Sequence, residues 1–269
     1  MEESCMDAFE TLETVPDLHI LASECFLIRK ALSLEDQVEL CAYIKSIDTT
    51  PEKTGPRPIS QGPKTLTLGE DGHPMRRYMF GDDSVVNRII NKTSAWLEDQ
   101  GAGILNRFKF ASGARAWAAQ PTRKGAETSA AQQSVEDVGT STASRYFERD
   151  ICNYRAISMA TIRYEAPNGQ FKPHVDHCND SLVFLISLGR TANFMVKGYD
   201  FNDPEVQSAV QRFKFTSGDV LIFNASTGAN LLHGVDSVDE TASEHGEALA
   251  QEFPMLQTHR YGVQCRIYF

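Results

Sequence analysis

His174-Val175-Asp176 sets an imidazole and a carboxylate two residues apart. Along an extended strand, residues i and i+2 project from the same face, so both groups can converge on one ion. A third donor must come from elsewhere. His233, within the short apolar segment Leu231-Leu232-His233-Gly234-Val235, is the natural candidate. Two histidines and one carboxylate form the facial donor set of non-haem Fe(II) sites, which leaves three coordination positions open. An isolated His-x-Asp is a weak signal, and a lone histidine is most often structural. The downstream histidine and a suitable pair of arginines lift this pattern above that reading.

Two of the open positions call for a chelating co-substrate. 2-Oxoglutarate chelates through its 1-carboxylate and 2-keto oxygen, and its 5-carboxylate then needs an anchor on the protein. A guanidinium suits that task, being permanently charged and able to grip a carboxylate with two parallel hydrogen bonds. Arg260 and Arg266 stand in His259-Arg-Tyr-Gly-Val-Gln-Cys-Arg266, and residues six apart on a strand share a face. Both can therefore point inward, where they would be costly without an anionic partner. The competing reading is a pair of surface arginines on an edge strand.

The elements that must position these groups are β-rich. Ser158–Tyr164, Ser181–Leu188, Asn193–Val196, Val220–Phe223 and Val263–Phe269 read as strands, separated by turns such as Pro167-Asn-Gly169 and Ser217-Gly-Asp219. Many short strands with polar turns predict a jelly-roll double sheet or barrel. Towards the N-terminus, Phe26–Ala31 reads as a short strand and Thr65–Leu68 as another. Ser33-Leu-Glu-Asp36 resembles a capping box, and Leu34, Val38, Cys41 and Ile44 follow at helical spacing, predicting a helix to about Ile47. Ser84–Leu97 is a second helix candidate, with Val85, Ile89 and Trp96 on one face. Prolines 51, 56, 58, 63 and 74 mark residues 49–74 as loop-like. The fold class expected is α+β: a double-stranded β-helix (jelly-roll) core with flanking N-terminal helices and a lid. Residues 1–22 read as a poorly ordered acidic leader, 23–117 as N-terminal helices and substrate lid, and 146–269 as the core. Residues 118–145, poor in large apolar side chains, cannot bury enough surface to offset ordering entropy and read as a flexible insertion.

Composition narrows the class further. Of 269 residues 41% are hydrophobic and 23% charged, as in ordinary globular proteins. The six cysteines never fall in C-x-x-C spacing, which disfavours a zinc ribbon or disulfide framework and suits a reducing compartment. The acidic first residues lack the basic and apolar regions of a secretory signal, and no apolar run reaches membrane-spanning length. A cytosolic or nuclear monomer without membrane contact is expected. The net charge of −10 is unlike that of a protein that coats nucleic acid. Yet the acid-free stretch between Asp99 and Glu127 carries Arg107, Lys109, Arg115, Arg123 and Lys124 among Phe108, Phe110 and Trp117. Such interleaving can hold a strand by phosphate pairing and base stacking, although a solvated loop with anchoring aromatics is the plainer reading.

Taken in order, these motifs resemble the AlkB family of 2-oxoglutarate dioxygenases, the nucleic-acid repair dealkylases and their relatives. The resemblance covers residues 158–269: Arg163-Tyr164, His174-x-Asp176, Ser187-Leu-Gly189 with Phe194, Asn202-Asp-Pro204, Ser217–Phe223, His233-Gly234 and Arg260-x5-Arg266. The R-x5-R ending is its most discriminating mark. The resemblance implies Fe(II) at His174, Asp176 and His233, with 2-oxoglutarate and O2 as co-substrates. It pairs Arg260 with the 5-carboxylate, sets Tyr164 beside it as a hydrogen-bond donor, and puts Arg266 behind the iron site, helping to fix the co-substrate. The implied reaction releases succinate and CO2 and hydroxylates the substrate, so that an N-methyl group collapses to formaldehyde and a demethylated base in DNA or RNA. Pro58–Phe80 is similar in placement to the family's substrate lid, where Tyr78 and Phe80 would stack a base and Arg76 and Arg77 would pair with phosphates. Departures concern substrate and co-substrate. Cys178 and Phe201 replace an acid and an arginine of bacterial members, while Ile162 and Gly262 stand where asparagine is common. His177 and Cys178 read as pocket lining rather than ligands. The alternative to a nucleic-acid substrate is a protein side chain or small molecule, favoured by the acidic charge and the altered pocket.

Overall fold

The computed structural model describes residues 16–47, 64–67, 84–100, 158–176, 181–203 and 205–268. The elements run β1 (Asp17–Ala22), β2 (Cys25–Arg29), α1 (Leu34–Ile47), β3 (Lys64–Thr67), α2 (Val85–Gln100), β4 (Ser158–Glu165) and β5 (Phe171–Val175). They continue with β6 (Ser181–Lys197), β7 (Gln211–Phe215), β8 (Val220–Asn224), β9 (Leu232–Ala242), α3 (Glu244–Glu252) and β10 (His259–Tyr268).

The N-terminal elements follow from local chemistry. At the start of α1, Ser33 Oγ accepts from the Asp36 amide at 3.1 Å while Asp36 Oδ2 accepts from the Ser33 amide at 3.2 Å. That reciprocal cap satisfies amides the helix itself leaves open. The buried stripe of α1 is Gln37, Leu40, Cys41 and Ile44, and that of α2 is Val86, Ile89, Ile90 and Leu97. Both stripes sit a step round from the faces expected, so Val38 and Trp96 pack at the flanks. Lys92 Nζ donates to Asp36 Oδ2 at 2.5 Å, and Arg88 pairs with Glu39, joining the two helices through their exposed sides.

The main sheet has the order β1-β2-β8-β6-β10-β4-β3, with antiparallel neighbours throughout. Its two faces alternate residue by residue, as a period of two demands. Phe26, Ile28, Phe184, Ile186, Val220, Ile222, Val263 and Cys265 pack outward against α1, α2 and α3. Leu27, Val183, Leu185, Leu221, Phe223 and Tyr164 face inward with Phe194, Phe215 and Val235 of the second layer. That layer is β5-β9-β6-β7.

One strand serves both layers. The 17 residues of β6 pair with β10 and β8 through Gly189 and with β9 and β7 from Arg190 onward. The crossing falls at Gly189, where φ is +82° and a Cβ would come within 3.0 Å of the His259 carbonyl oxygen. Only glycine takes that backbone without strain.

The fold is the jelly-roll core with flanking helices that the sequence predicts, with four differences in detail. Asp17–Ala22 form an edge strand rather than the end of an acidic leader, because β2 supplies a pairing partner from Asp17↔Arg29 to Ala22↔Cys25, with one register shift between Ile20 and Ala22. Ser181–Leu188 and Asn193–Val196 are a single strand. The final strand begins at His259 instead of Val263. β7, β9 and α3 have no counterpart in the sequence reading. β7 is short and largely exposed, and register shifts between Arg190/Ala192 and Asn193/Phe194 in the β6–β9 pairing break the alternation that would reveal β9. The 118–145 insertion, most of the lid and the first 15 residues lie outside the described residues.

Candidate metal centre and co-substrate pocket

The β5–β9 register assembles the metal donors. His174 lies directly opposite His233, and Val175 opposite Leu232. Directly opposed residues of an antiparallel pair share a face, and Asp176, two places beyond His174, shares it too. One donor atom from each of His174, Asp176 and His233 lies within 4.8 Å of the others. The approach of β5 to β9 requires Gly234: a Cβ there would meet the Phe171 carbonyl oxygen at 2.7 Å and Pro173 Cα at 3.0 Å.

Each imidazole is oriented by backbone. His174 Nδ1 donates to the Lys172 carbonyl at 3.0 Å and His233 Nδ1 to the Leu231 carbonyl at 3.2 Å. These bonds fix the tautomer and leave both Nε2 atoms as acceptors for a metal. The rings stand 4.4 Å apart by centroid, with Phe171 against His174 at 4.4 Å and Phe223 against His233 at 4.7 Å. Burial pushes His233 down to about 4, only partly opposed by Asp176, so its ring is neutral near pH 7. Burial also lowers His174, but its contacts with Asp176 and the Lys172 carbonyl leave it raised overall. For Asp176 burial raises the carboxyl, and His174, His233 and Arg266 outweigh it, holding it at about 2. A neutral His233 beside a fixed carboxylate suits a divalent cation, and His174, raised by Asp176, would give up its proton to bind one.

The carboxylate is divided between tasks. Oδ1 lies 3.5 Å from His174 Nε2, whereas Oδ2 accepts from Arg266 Nη2 at 2.6 Å and from Gln264 Nε2 at 3.3 Å. Gln264 is a site residue that the sequence reading misses. Its signal is the alternation of β10, which puts residues 260, 262, 264 and 266 on the inner face while Tyr261, Val263, Cys265 and Ile267 pack outward.

Deeper along the same face, Arg260 is 1% exposed, and its Nε and Nη1 have no hydrogen-bond partner among the described residues. Its guanidinium sits 5.5 Å from the Tyr164 ring and 5.4 Å from the Phe215 ring. Burial drags its pKa down to about 10, against the opposing influence of Tyr164 and Asp219. Burial likewise pushes the Tyr164 hydroxyl up to about 12, so it is a neutral hydrogen-bonding group. An unmatched buried cation is costly, and a carboxylate is its fitting complement. Gly262 leaves room beside the pair: an added Cβ would stand 3.5 Å from Tyr164 Cε2 and 3.9 Å from Arg260 Nη2. The donor set therefore fits Fe(II), and the cage fits the distal carboxylate of a 2-oxo dicarboxylic acid.

Of the expected substrate residues, Phe201 packs against the helix-side core, on the other face of the main sheet from the triad. Arg76, Arg77, Tyr78, Phe80 and Cys178 lie outside the described residues.

No family model and no curated protein matches the chain. Solved structures do. The structure of OsALKBH1 is similar over 93% of this chain and 100% of its own, at 19% identity and a TM-score of 0.52. Partial likeness extends to an oxidoreductase of the 2OG-Fe(II) oxygenase family from Burkholderia pseudomallei, at 16% identity. It covers 44% of this chain and 48% of that one, with a TM-score of 0.27. A Pseudomonas putida prolyl-4-hydroxylase matches at 9% identity over 42% of this chain and 48% of its own, with a TM-score of 0.26. The fold of the chain is AlkB-like.

Proposed function

We propose that this chain is an Fe(II)- and 2-oxoglutarate-dependent dioxygenase that oxidatively demethylates alkylated bases in nucleic acid. The observation that carries the class is Arg260. A triad of this type alone could hold several divalent metals, but a buried guanidinium with two unmatched nitrogens facing the same interior calls for an anionic co-substrate.

His174, Asp176 and His233 are the metal ligands in this reading. Arg260 holds the 5-carboxylate of 2-oxoglutarate, with Tyr164 beside it, and Arg266 braces Asp176. Bound Fe(II) supplies the coupling of O2 to decarboxylation of 2-oxoglutarate, yielding succinate, CO2 and a hydroxylated substrate. Phe223 packs against the buried His233 ring and Phe171 against His174, which helps to hold both imidazoles in place.

The nucleic-acid reading is supported by the AlkB-like fold and by Arg76, Arg77, Tyr78 and Phe80 in the lid sequence, residue types suited to phosphate pairing and base stacking. A protein side chain or small molecule is the second reading, favoured by the net charge of −10 and by Cys178 in the expected pocket sequence. Turnover of 2-oxoglutarate against a panel of methylated oligonucleotides and methylated peptides, read as formaldehyde release, decides between them. Formaldehyde from peptides alone would overturn the nucleic-acid reading, and absence of 2-oxoglutarate turnover on any substrate would overturn the class.

A further inference from the structure

We propose that Gln264 is a positioning residue which, with Arg266, ties up Oδ2 of Asp176 and restricts that carboxylate to monodentate metal binding through Oδ1. The inference rests on the metal reading of the triad given above.

Two donors from one strand converge on a single oxygen. Arg266 Nη2 reaches Oδ2 at 2.6 Å and Gln264 Nε2 reaches the same atom at 3.3 Å. Both residues lie on β10, two apart and therefore on one face, so the backbone itself sets their spacing. A carboxylate oxygen offers two lone-pair sites, and these two bonds use them. Oδ1 is the oxygen left towards the imidazoles, 3.5 Å from His174 Nε2.

The consequence is a fixed count of metal positions. Two imidazoles and one carboxylate oxygen would hold a divalent ion and leave three positions on it open. A chelating 2-oxo acid would need two of them, and the reaction with O2 would need the third. If Asp176 swung its second oxygen onto the metal, one of those places would be lost. Arg266 alone contributes a single Nη2 bond to Oδ2. Gln264 adds a second direction of restraint without adding charge, so the carboxylate keeps its full negative charge for the metal.

The test uses the full chain, stripped of metal and titrated with Mn(II) by calorimetry and with Co(II) by visible absorption. Gln264→Met keeps the length of the side chain and removes its donor. Gln264→Val removes the donor and keeps a strand-forming residue, and it carries the test if the first variant does not fold. Thermal melting near that of the wild type establishes folding. The expected result is Mn(II) binding weakened about tenfold, as is usual for loss of a partner to a metal ligand, together with shifted Co(II) bands. Wild-type Mn(II) affinity in a folded variant overturns the proposal, as does an unshifted Co(II) spectrum. Failure of the underlying metal reading is distinguishable, because it appears in the wild type as absence of Mn(II) binding, or in His174→Ala as unimpaired binding.

Discussion

At the scale of single residues, the site sets two imidazoles and a carboxylate against two inward cations. His174 and His233 each spend Nδ1 on a backbone carbonyl, so neither ring can turn away without losing a hydrogen bond. Removing one donor leaves too few protein ligands for the facial set. His174→Ala or Asp176→Ala is therefore expected to abolish succinate formation and Mn(II) binding together; succinate produced at the wild-type rate by either variant would remove the assignment. In the proposed function Arg260 has a separate job, and its loss should read out separately. Breaking a buried charge pair costs about 3–5 kcal/mol, so Arg260→Ala should raise the KM for 2-oxoglutarate by about two to four orders of magnitude. Mn(II) affinity should stay close to wild type, since the guanidinium is not in contact with the triad. A rise of only a few-fold would place the anchor of the 5-carboxylate elsewhere. Arg260→Lys is expected to behave much like the alanine variant, because an ammonium cannot match the guanidinium's fork between Tyr164 and Phe215.

At the scale of elements, the pairing of β5 with β9 is what turns three separated residues into a centre, and Gly234 is where that pairing is most exposed to perturbation. A methyl at residue 234 would lie 2.7 Å from the Phe171 carbonyl oxygen and 3.0 Å from Pro173, both backbone atoms that cannot step aside cheaply. Gly234→Ala should separate the two strands, and Mn(II) affinity should fall at least tenfold although every donor side chain is intact. Wild-type affinity in that variant would mean that the strand contact does not set the donor geometry. The same elements explain what could be read beforehand. His174 and Asp176 declare themselves through a spacing of two, and Arg260 and Arg266 through a spacing of six, because strand periodicity depends on nothing beyond the segment itself. The opposition of His174 to His233 depends on register between distant strands, and no local pattern encodes it. Gln264 escaped for a related reason: a neutral amide on an inward face signals nothing until its partner is known. β6 was read as two strands since Gly189-Arg190-Thr191 interrupts the apolar run, whereas the chain bends there and passes from one layer to the other.

At the scale of the whole molecule, charge and substrate must be reconciled. The chain carries 36 acidic residues against 26 lysines and arginines, so a polyanion gains nothing from the average field and must be held by local cations. Arg76 and Arg77 adjoin Tyr78 and Phe80, which makes this segment the strongest candidate for pairing with phosphates while a base is stacked and held. Each phosphate contact releases counterions, so binding through these residues must weaken as salt rises. Reversing both arginines to glutamate should lower oligonucleotide affinity and flatten its dependence on salt by roughly two contacts' worth of slope. Turnover of 2-oxoglutarate without substrate should persist, since the triad and the Arg260 cage are built from residues 164 to 266, outside that segment. The measurement is oligonucleotide affinity for both proteins across a series of salt concentrations, with succinate release followed in parallel. If the wild type shows no salt-dependent affinity for single- or double-stranded oligonucleotides, nucleic acid is excluded as the substrate, and the same iron chemistry must act on a protein side chain or a small molecule.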